Sequence, residues 1–266
     1  MATLHINDVE LYYHLIGEGE PIIFITGFSA DHSVWLDVAD KFAQHYQVIL
    51  FDNRGSGQSS VPDYDYTIDM MADDTASLCE ALELQSAHFI GSSMGGMILQ
   101  NLAHRYPQLV KSATLVNTAA KADSKFGIFI EAFGEIMKNS NADLKLLIKM
   151  LLPWIYSDNF LMKNNKTEQL LKEKINYPYP TTPEGFTHQL HAIKTFDATD
   201  YLAAINSPCL VFGSDQDMIF NERETRYLAD NIPNANYVYV ENCGHLPQIE
   251  YPDTFFDKVY GFIRSI

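Results

Sequence analysis

Basic residues are scarce in this chain. Among its 266 residues, 18 Lys and Arg stand against 34 Asp and Glu, a formal net charge of −16. A surface of that sign repels phosphate backbones and anionic lipid surfaces, which argues against nucleic-acid binding and electrostatic membrane attachment. Cysteine is scarce too. Cys79, Cys209 and Cys243 are an odd number at wide spacing, so neither a disulfide framework nor a zinc site is expected. No apolar run approaches the ~20 residues that span a bilayer. The opening MATLHINDVELYYHL has no basic region followed by an apolar one, so no secretory signal is expected. Internal repeats and low-complexity tracts are absent. These absences together lead us to expect a soluble, cytoplasmic protein in a reducing setting.

What is present is a full core. The chain is 47% hydrophobic, which is ordinary for a globular protein, and its length suits one large domain or a domain carrying an insertion. Two short strands are expected at 3–6 and 9–14 around an Asn7-Asp8 turn. Continuous apolar runs at 22–26 and 47–51 suit strands covered on both faces. A helix is expected between them at 33–45. The polar loop DNRGSGQSSVPD follows, and then Thr67 caps an amphipathic helix to about position 84. Strand 87–90, helix 93–105 and strand 113–117 come next. After a long helical stretch, 118–196, the alternation resumes with strand 209–213, helix 222–232, strand 237–240 and helix 253–263. Strands alternating with helices predict a parallel sheet with helices on both faces. The spacing predicts a core of 1–117 plus 197–266 and a helical insertion over 118–196, broken at Pro153, Pro178, Pro180 and Pro183.

Gly91-Ser92-Ser93-Met94-Gly95 matches G-x-S-x-G. At average Gly and Ser abundance, about one chain in ten of this length would match by chance. The context raises its weight, because a buried strand precedes it and a helix follows. That arrangement is a nucleophile elbow, in which a sharp turn exposes the Ser oxygen at a helix N-terminus and tolerates only small neighbours.

With these residues in view, the chain resembles the α/β-hydrolase superfamily over nearly its whole length. The resemblance is carried by ITGFSADHSVW, FDNRGSGQSS, AHFIGSSMGGMILQ, VFGSDQD and NCGHLPQIEYPDTF. Within that superfamily it is similar to small esterases and lactonases such as the 3-oxoadipate enol-lactonases, and to the pimeloyl-carrier-protein methyl esterases. The resemblance implies a mostly parallel eight-stranded sheet flanked by helices, with a helical cap insertion. It also implies hydrolysis of a carboxylic ester or lactone.

A Ser nucleophile needs an adjacent general base. His245, in the loop after strand 237–240, stands where the resemblance places one. The acid that orients it should lie between Ser and His in the chain. In relatives it usually falls three residues after the Gly ending the preceding strand, which here is Gln216. Asp217 is favoured and Asp215 is the alternative acid. The expected oxyanion donors are the main-chain N–H groups of Met94 and, by resemblance, Phe28. Relatives often have His-Gly before the latter, where this chain has Thr26-Gly27. His32 and His104 are expected at the surface or in caps. Asp52 and Arg54 are expected to satisfy their loop and each other. Phe28, Phe129, Phe133 and Trp154 are candidates for the substrate pocket.

No cofactor or metal is implied, since neither a dinucleotide fingerprint nor a metal-ligand spacing is present. Position 93 offers neither the Asp of dehalogenases and epoxide hydrolases of this fold nor a thiol. Thioester or carbon–carbon bond hydrolysis would use the same triad, and a receptor could retain it without turnover. The expected partner is a small-molecule ester or lactone. Charge bears on its sign: the cap holds ten Lys, no Arg and eight acidic residues, a balance of +2, which leaves −18 on the rest. Such a cap would tolerate an anionic or carrier-bound substrate.

Overall fold

The computed structural model describes residues 2–122, 124–138 and 143–266. Eight strands form one sheet: β1 Ala2–Ile6, β2 Val9–Ile16, β3 Pro21–Ile25, β4 Gln47–Phe51, β5 Ala87–Ser92, β6 Val110–Val116, β7 Cys209–Ser214 and β8 Ala235–Val240. Their order is β1-β2-β4-β3-β5-β6-β7-β8. β2 pairs antiparallel with β1 and β4, and every later pairing is parallel. Parallel neighbours need crossovers, and helices supply them on both faces. α1 (Leu36–Phe42) and α10 (Pro252–Ile263) pack together on one face, over Phe24, Phe42, Phe212 and Phe255. α2 (Ile68–Ala81), α3 (Met94–Arg105) and α9 (Glu222–Asn231) share the second apolar cluster.

Local chemistry accounts for most boundaries. Thr67 Oγ1 accepts the Met70 N–H to start α2, and Asn221 with Glu224 forms a capping box on α9. The single helix expected at 33–45 divides instead. A 3-10 turn, His32–Trp35, precedes α1, because Asp31 accepts the Ser33 N–H and Trp35 is drawn fully into the core.

Between β6 and β7 lie α4 (Ser124–Met137), α5 (Leu144–Ile155), α6 (Asp158–Leu161), α7 (Lys166–Ile175) and α8 (Pro183–Thr195). Positions 123 and 139–142 of the segment expected to be helical lie outside the described residues. Pro153 does not break the chain as expected. It sits inside α5, two residues before its end, on an exposed stretch where water can take the carbonyl that loses its partner. Pro183 starts α8 at a position where no N–H is needed. The two ends of this segment meet: Ala198 N–H donates to Ala120 O at 2.8 Å, and Lys121 pairs with Asp197 in an isolated bridge. Among the described residues no helix is long and apolar enough to cross a membrane. All three cysteines are free and buried.

Candidate active site

The predicted catalytic and oxyanion residues all follow the C-terminal ends of β3, β5, β7 and β8: Phe28 after β3, Ser93 and Met94 after β5, Asp215 and Asp217 after β7, and His245 after β8. Ser93 follows β5 directly with φ 56° and ψ −121°. A non-glycine residue held there costs on the order of 1–3 kcal/mol and persists only when the surroundings enforce it. Here they do. Ser93 N–H donates to Val116 O (2.9 Å), and Thr118 Oγ1 donates to Ser93 O (2.7 Å). The neighbouring glycines are steric necessities. A Cβ on Gly95 would lie 2.2 Å from Ile25 O, and one on Gly91 would lie 2.3 Å from Gly95 O. The elbow is thereby pressed onto the end of β3. Ser93 itself is partly exposed while its neighbours Ser92 and Met94 are buried.

His245 and Asp217 meet. Asp217 Oδ2 lies 2.8 Å from His245 Nδ1, and the residues are 5% and 4% exposed, respectively. Asp217 Oδ1 accepts the Ile219 and Phe220 N–H groups (2.8 and 3.1 Å), so the carboxylate cannot rotate away. Asp215 is exposed and does a different job: its Oδ1 accepts the Cys243 N–H at 3.0 Å. Asn117, at the end of β6, donates to Ser214 Oγ (3.0 Å), Gly244 O (3.1 Å) and His245 O (3.0 Å). It follows the residue that receives the Ser93 N–H, so the Ser and His backbones are tied to adjacent residues of one strand end.

The loop after β3 reaches the same place. Gly27 lies so close to the elbow that a Cβ there would sit 3.1 Å from Ser93 Cβ. Met94 opens α3, where the first-turn N–H groups have no intrahelical acceptor. Gly27, which precedes Phe28, and Met94 thus flank Ser93. Phe28 also packs edge-on against Phe186 of α8, at 4.6 Å between ring centroids. From Phe186 the aromatic contacts continue to Phe133 (5.8 Å), Phe129 (6.2 Å) and Trp154 (4.6 Å, stacked). Phe133 is buried among Ile130, Leu147 and Phe186, whereas Phe28, Phe129 and Trp154 keep partial exposure.

Glu250 was not visible in the sequence as a site residue. Its Oε1 accepts the N–H groups of Ser157 (3.0 Å) and Gly244 (3.1 Å), and its Oε2 accepts the Ser157 hydroxyl. Burial pushes this carboxyl above the usual range, against the pull of those hydrogen bonds. His245 N–H in turn donates to Ile155 O at 2.7 Å. A Cβ on Gly244 would lie 2.6 Å from that same oxygen, so only glycine lets the two segments meet.

Two expectations need correction. His32 is buried, not superficial: its Nδ1 and its N–H both reach Asp52 Oδ1 at 2.8 Å. Burial opposes its charge, but the hydrogen bond and charge of Asp52, with the charge of Asp31, outweigh that and hold its pKa above the ordinary imidazole value. Asp52 and Arg54 do not pair with each other. Arg54 instead grips Asp74 through Nε and Nη2 (2.6 and 2.8 Å). His104 is exposed as expected and stacks on Tyr201. Among the described residues, Asp31, His32 and Asp52 are the one group whose ligand atoms gather closely enough for a metal. The Asp52 oxygens are already taken by His32 and the Gln58 N–H.

The alpha/beta hydrolase fold model matches residues 20–252. A protein of Azorhizobium caulinodans with the provisional name carbamate hydrolase RutD is 27% identical over all of this chain and 99% of its own length. The 3-oxoadipate enol-lactonase 1 of Acinetobacter baylyi is 29% identical over 92% of this chain and 89% of its own. The crystal structure of the enol-lactonase of Burkholderia xenovorans, 25% identical, superposes with a TM-score of 0.90 over 99% of this chain and 100% of that one. The chain belongs to the α/β-hydrolase family.

Proposed function

We propose that this protein is a serine hydrolase that cleaves a carboxylic ester or lactone through an acyl-enzyme on Ser93. The observation that carries this reading is the buried Asp217–His245 contact, at 2.8 Å, tied through Asn117 to the elbow that strains Ser93. In this reading Ser93 Oγ attacks the substrate carbonyl and His245 takes its proton. Asp217 supports the imidazolium that forms. The Phe28 and Met94 amides hold the negative charge that develops on the carbonyl oxygen. His245 then gives its proton to the leaving alcohol, and a water attacks the acyl-enzyme through the same base.

The segment 118–196 serves as a helical cap over a core of 1–117 and 197–266. Its partly exposed Phe129 and Trp154, with Phe28, supply an apolar wall for the acyl group. The two enol-lactonase relatives support the ester and lactone class. The name of the Azorhizobium relative adds carbamates to the range worth assaying. The three free, buried thiols fit a reducing compartment.

The test is a panel of p-nitrophenyl esters, lactones, thioesters and an N-aryl carbamate, assayed with the wild type and with Ser93→Ala. Repeated Ser93-dependent turnover of esters or lactones is expected. Single turnover or none would favour a receptor, and ester turnover by Ser93→Ala at the wild-type rate would sink the mechanism.

A further inference from the structure

We propose that Gln189 is a positioning residue for the oxyanion hole, so that a helix outside the sheet sets the geometry of acyl transfer. The proposal rests on the serine-hydrolase reading above and adds a residue to it.

Gln189 lies on α8 and is completely buried, with 0% exposure. Its side-chain amide is fully engaged. Oε1 accepts the Ser29 N–H at 2.9 Å, and Nε2 donates to Arg54 O at 2.8 Å and Ser56 Oγ at 2.9 Å. The orientation of the amide follows from its partners, because a main-chain N–H only donates and a main-chain carbonyl only accepts.

Both ends of this bridge matter. On one side, the loop of Arg54 is immobilised by the Arg54–Asp74 pair. On the other, Ser29 has φ 54°, a backbone state that a non-glycine residue does not hold without support. The Ser29 N–H belongs to the Phe28–Ser29 peptide. A tilt of that peptide turns Phe28, and with it the main-chain N–H offered to the oxyanion. Catalysis by such donors depends on their being aimed before the charge forms.

The rest of α8 keeps the bridge in place. Gly185 sits one turn earlier on the same face, against Gly55, where a Cβ would lie 2.2 Å from Gly55 O. Phe186 presses on the Phe28 ring. A buried Gln that only filled space would need neither the Ser29 N–H nor the Arg54 carbonyl. This one joins them.

The experiment compares Gln189→Met, which keeps length and removes all three hydrogen bonds, with Gln189→Glu, which keeps an acceptor for Ser29. Steady-state kinetics on the best ester are read alongside the inhibition constant of a trifluoromethyl ketone, whose adduct with Ser93 carries an oxyanion. Gln189→Met is expected to lower kcat by about 10- to 100-fold with KM changed less than about threefold, a smaller loss than the 10²- to 10³-fold for deleting a donor outright. Its ketone affinity should fall by the same factor as kcat/KM, and Gln189→Glu should lie between it and the wild type. Unchanged kcat per folded molecule, whatever the loss in Tm, would overturn the proposal. So would equal kinetics for the two variants. If Gln189→Met does not fold, Gln189→Glu decides alone, by a fall in kcat and ketone affinity or by neither. Failure here with Ser93→Ala inactive removes only the role of Gln189, whereas turnover independent of Ser93 removes the reading on which it stands.

Discussion

Asp215 and Asp217, two residues apart on the loop after β7, hold opposite ends of the same short segment: Asp215 takes the Cys243 N–H and Asp217 takes the His245 imidazole. Only the second touches the side chain proposed as the general base. Asp217→Asn should therefore lower kcat by ~10³- to 10⁴-fold, because an amide facing Nδ1 favours the wrong imidazole tautomer. Asp215→Asn keeps an oxygen for Cys243 and should leave kcat within about threefold of the wild type, with a loss of stability of roughly 1 kcal/mol. Steady-state kinetics and urea unfolding of both variants check this, and the reverse ranking would move the acid role to Asp215.

The strain at Ser93 makes a prediction about stability. Its positive φ is the conformation glycine adopts freely. Ser93→Gly and Ser93→Ala should both be inactive, with the glycine variant more stable by about 1 kcal/mol. For a chain of this size that is a Tm difference of roughly 2–4 °C. Calorimetry of the two variants would show it, and an alanine variant as stable as the glycine one would mean that the elbow is unstrained.

His32 should report its ion pair through pH. Its folded-state pKa is raised, so the His32–Asp52 pair contributes stability that is fully present below the ordinary imidazole value of about 6.5 and is lost as pH rises through the folded value. The cost of His32→Asn should be larger at about pH 5.5 than at about pH 9. Denaturant unfolding at the two pH values measures it, and NMR titration of His32 should give a midpoint above the ordinary one.

Glu250 anchors three donors in a buried setting. Glu250→Ala leaves the Ser157 and Gly244 N–H groups without their acceptor and should cost on the order of 2–4 kcal/mol. Glu250→Gln retains one oxygen for them and should cost ~1 kcal/mol. Equal losses in urea unfolding would show that packing, not hydrogen bonding, holds this contact.

The chain announced the parts of this site that are local. Ser93 lies between a buried strand and a helix, and His245 and both candidate acids lie in loops just after strands. Short-range patterns expose such places. The sequence favours Asp217 but leaves Asp215 open, because two residues on one loop differ only in which way the folded loop turns them. Gln189 and Glu250 gave no signal for a related reason: the partners of Gln189 lie 133 to 160 residues away, and Glu250, besides its near neighbour Gly244, binds Ser157 across 93 residues. The burial of His32 carries no local mark because its ion pair with Asp52 spans 20 residues, from a 3-10 turn to the loop after β4. Pro153 was misread because proline near an exposed helix end loses a hydrogen bond that water replaces.

The meeting of Ala120 O with Ala198 N carries one more consequence. The two ends of the inserted helices meet at one point between β6 and β7, so the backbone from 121 to 197 is closed off as a module of its own. Helices of another length or sequence could be exchanged at that junction without disturbing strand order. The graft would still have to bring its own substitutes for Ile155, Ser157 and Gln189, since those three reach back into the loops that flank Ser93. Evolutionary exchange of this module is thus structurally easy but chemically constrained.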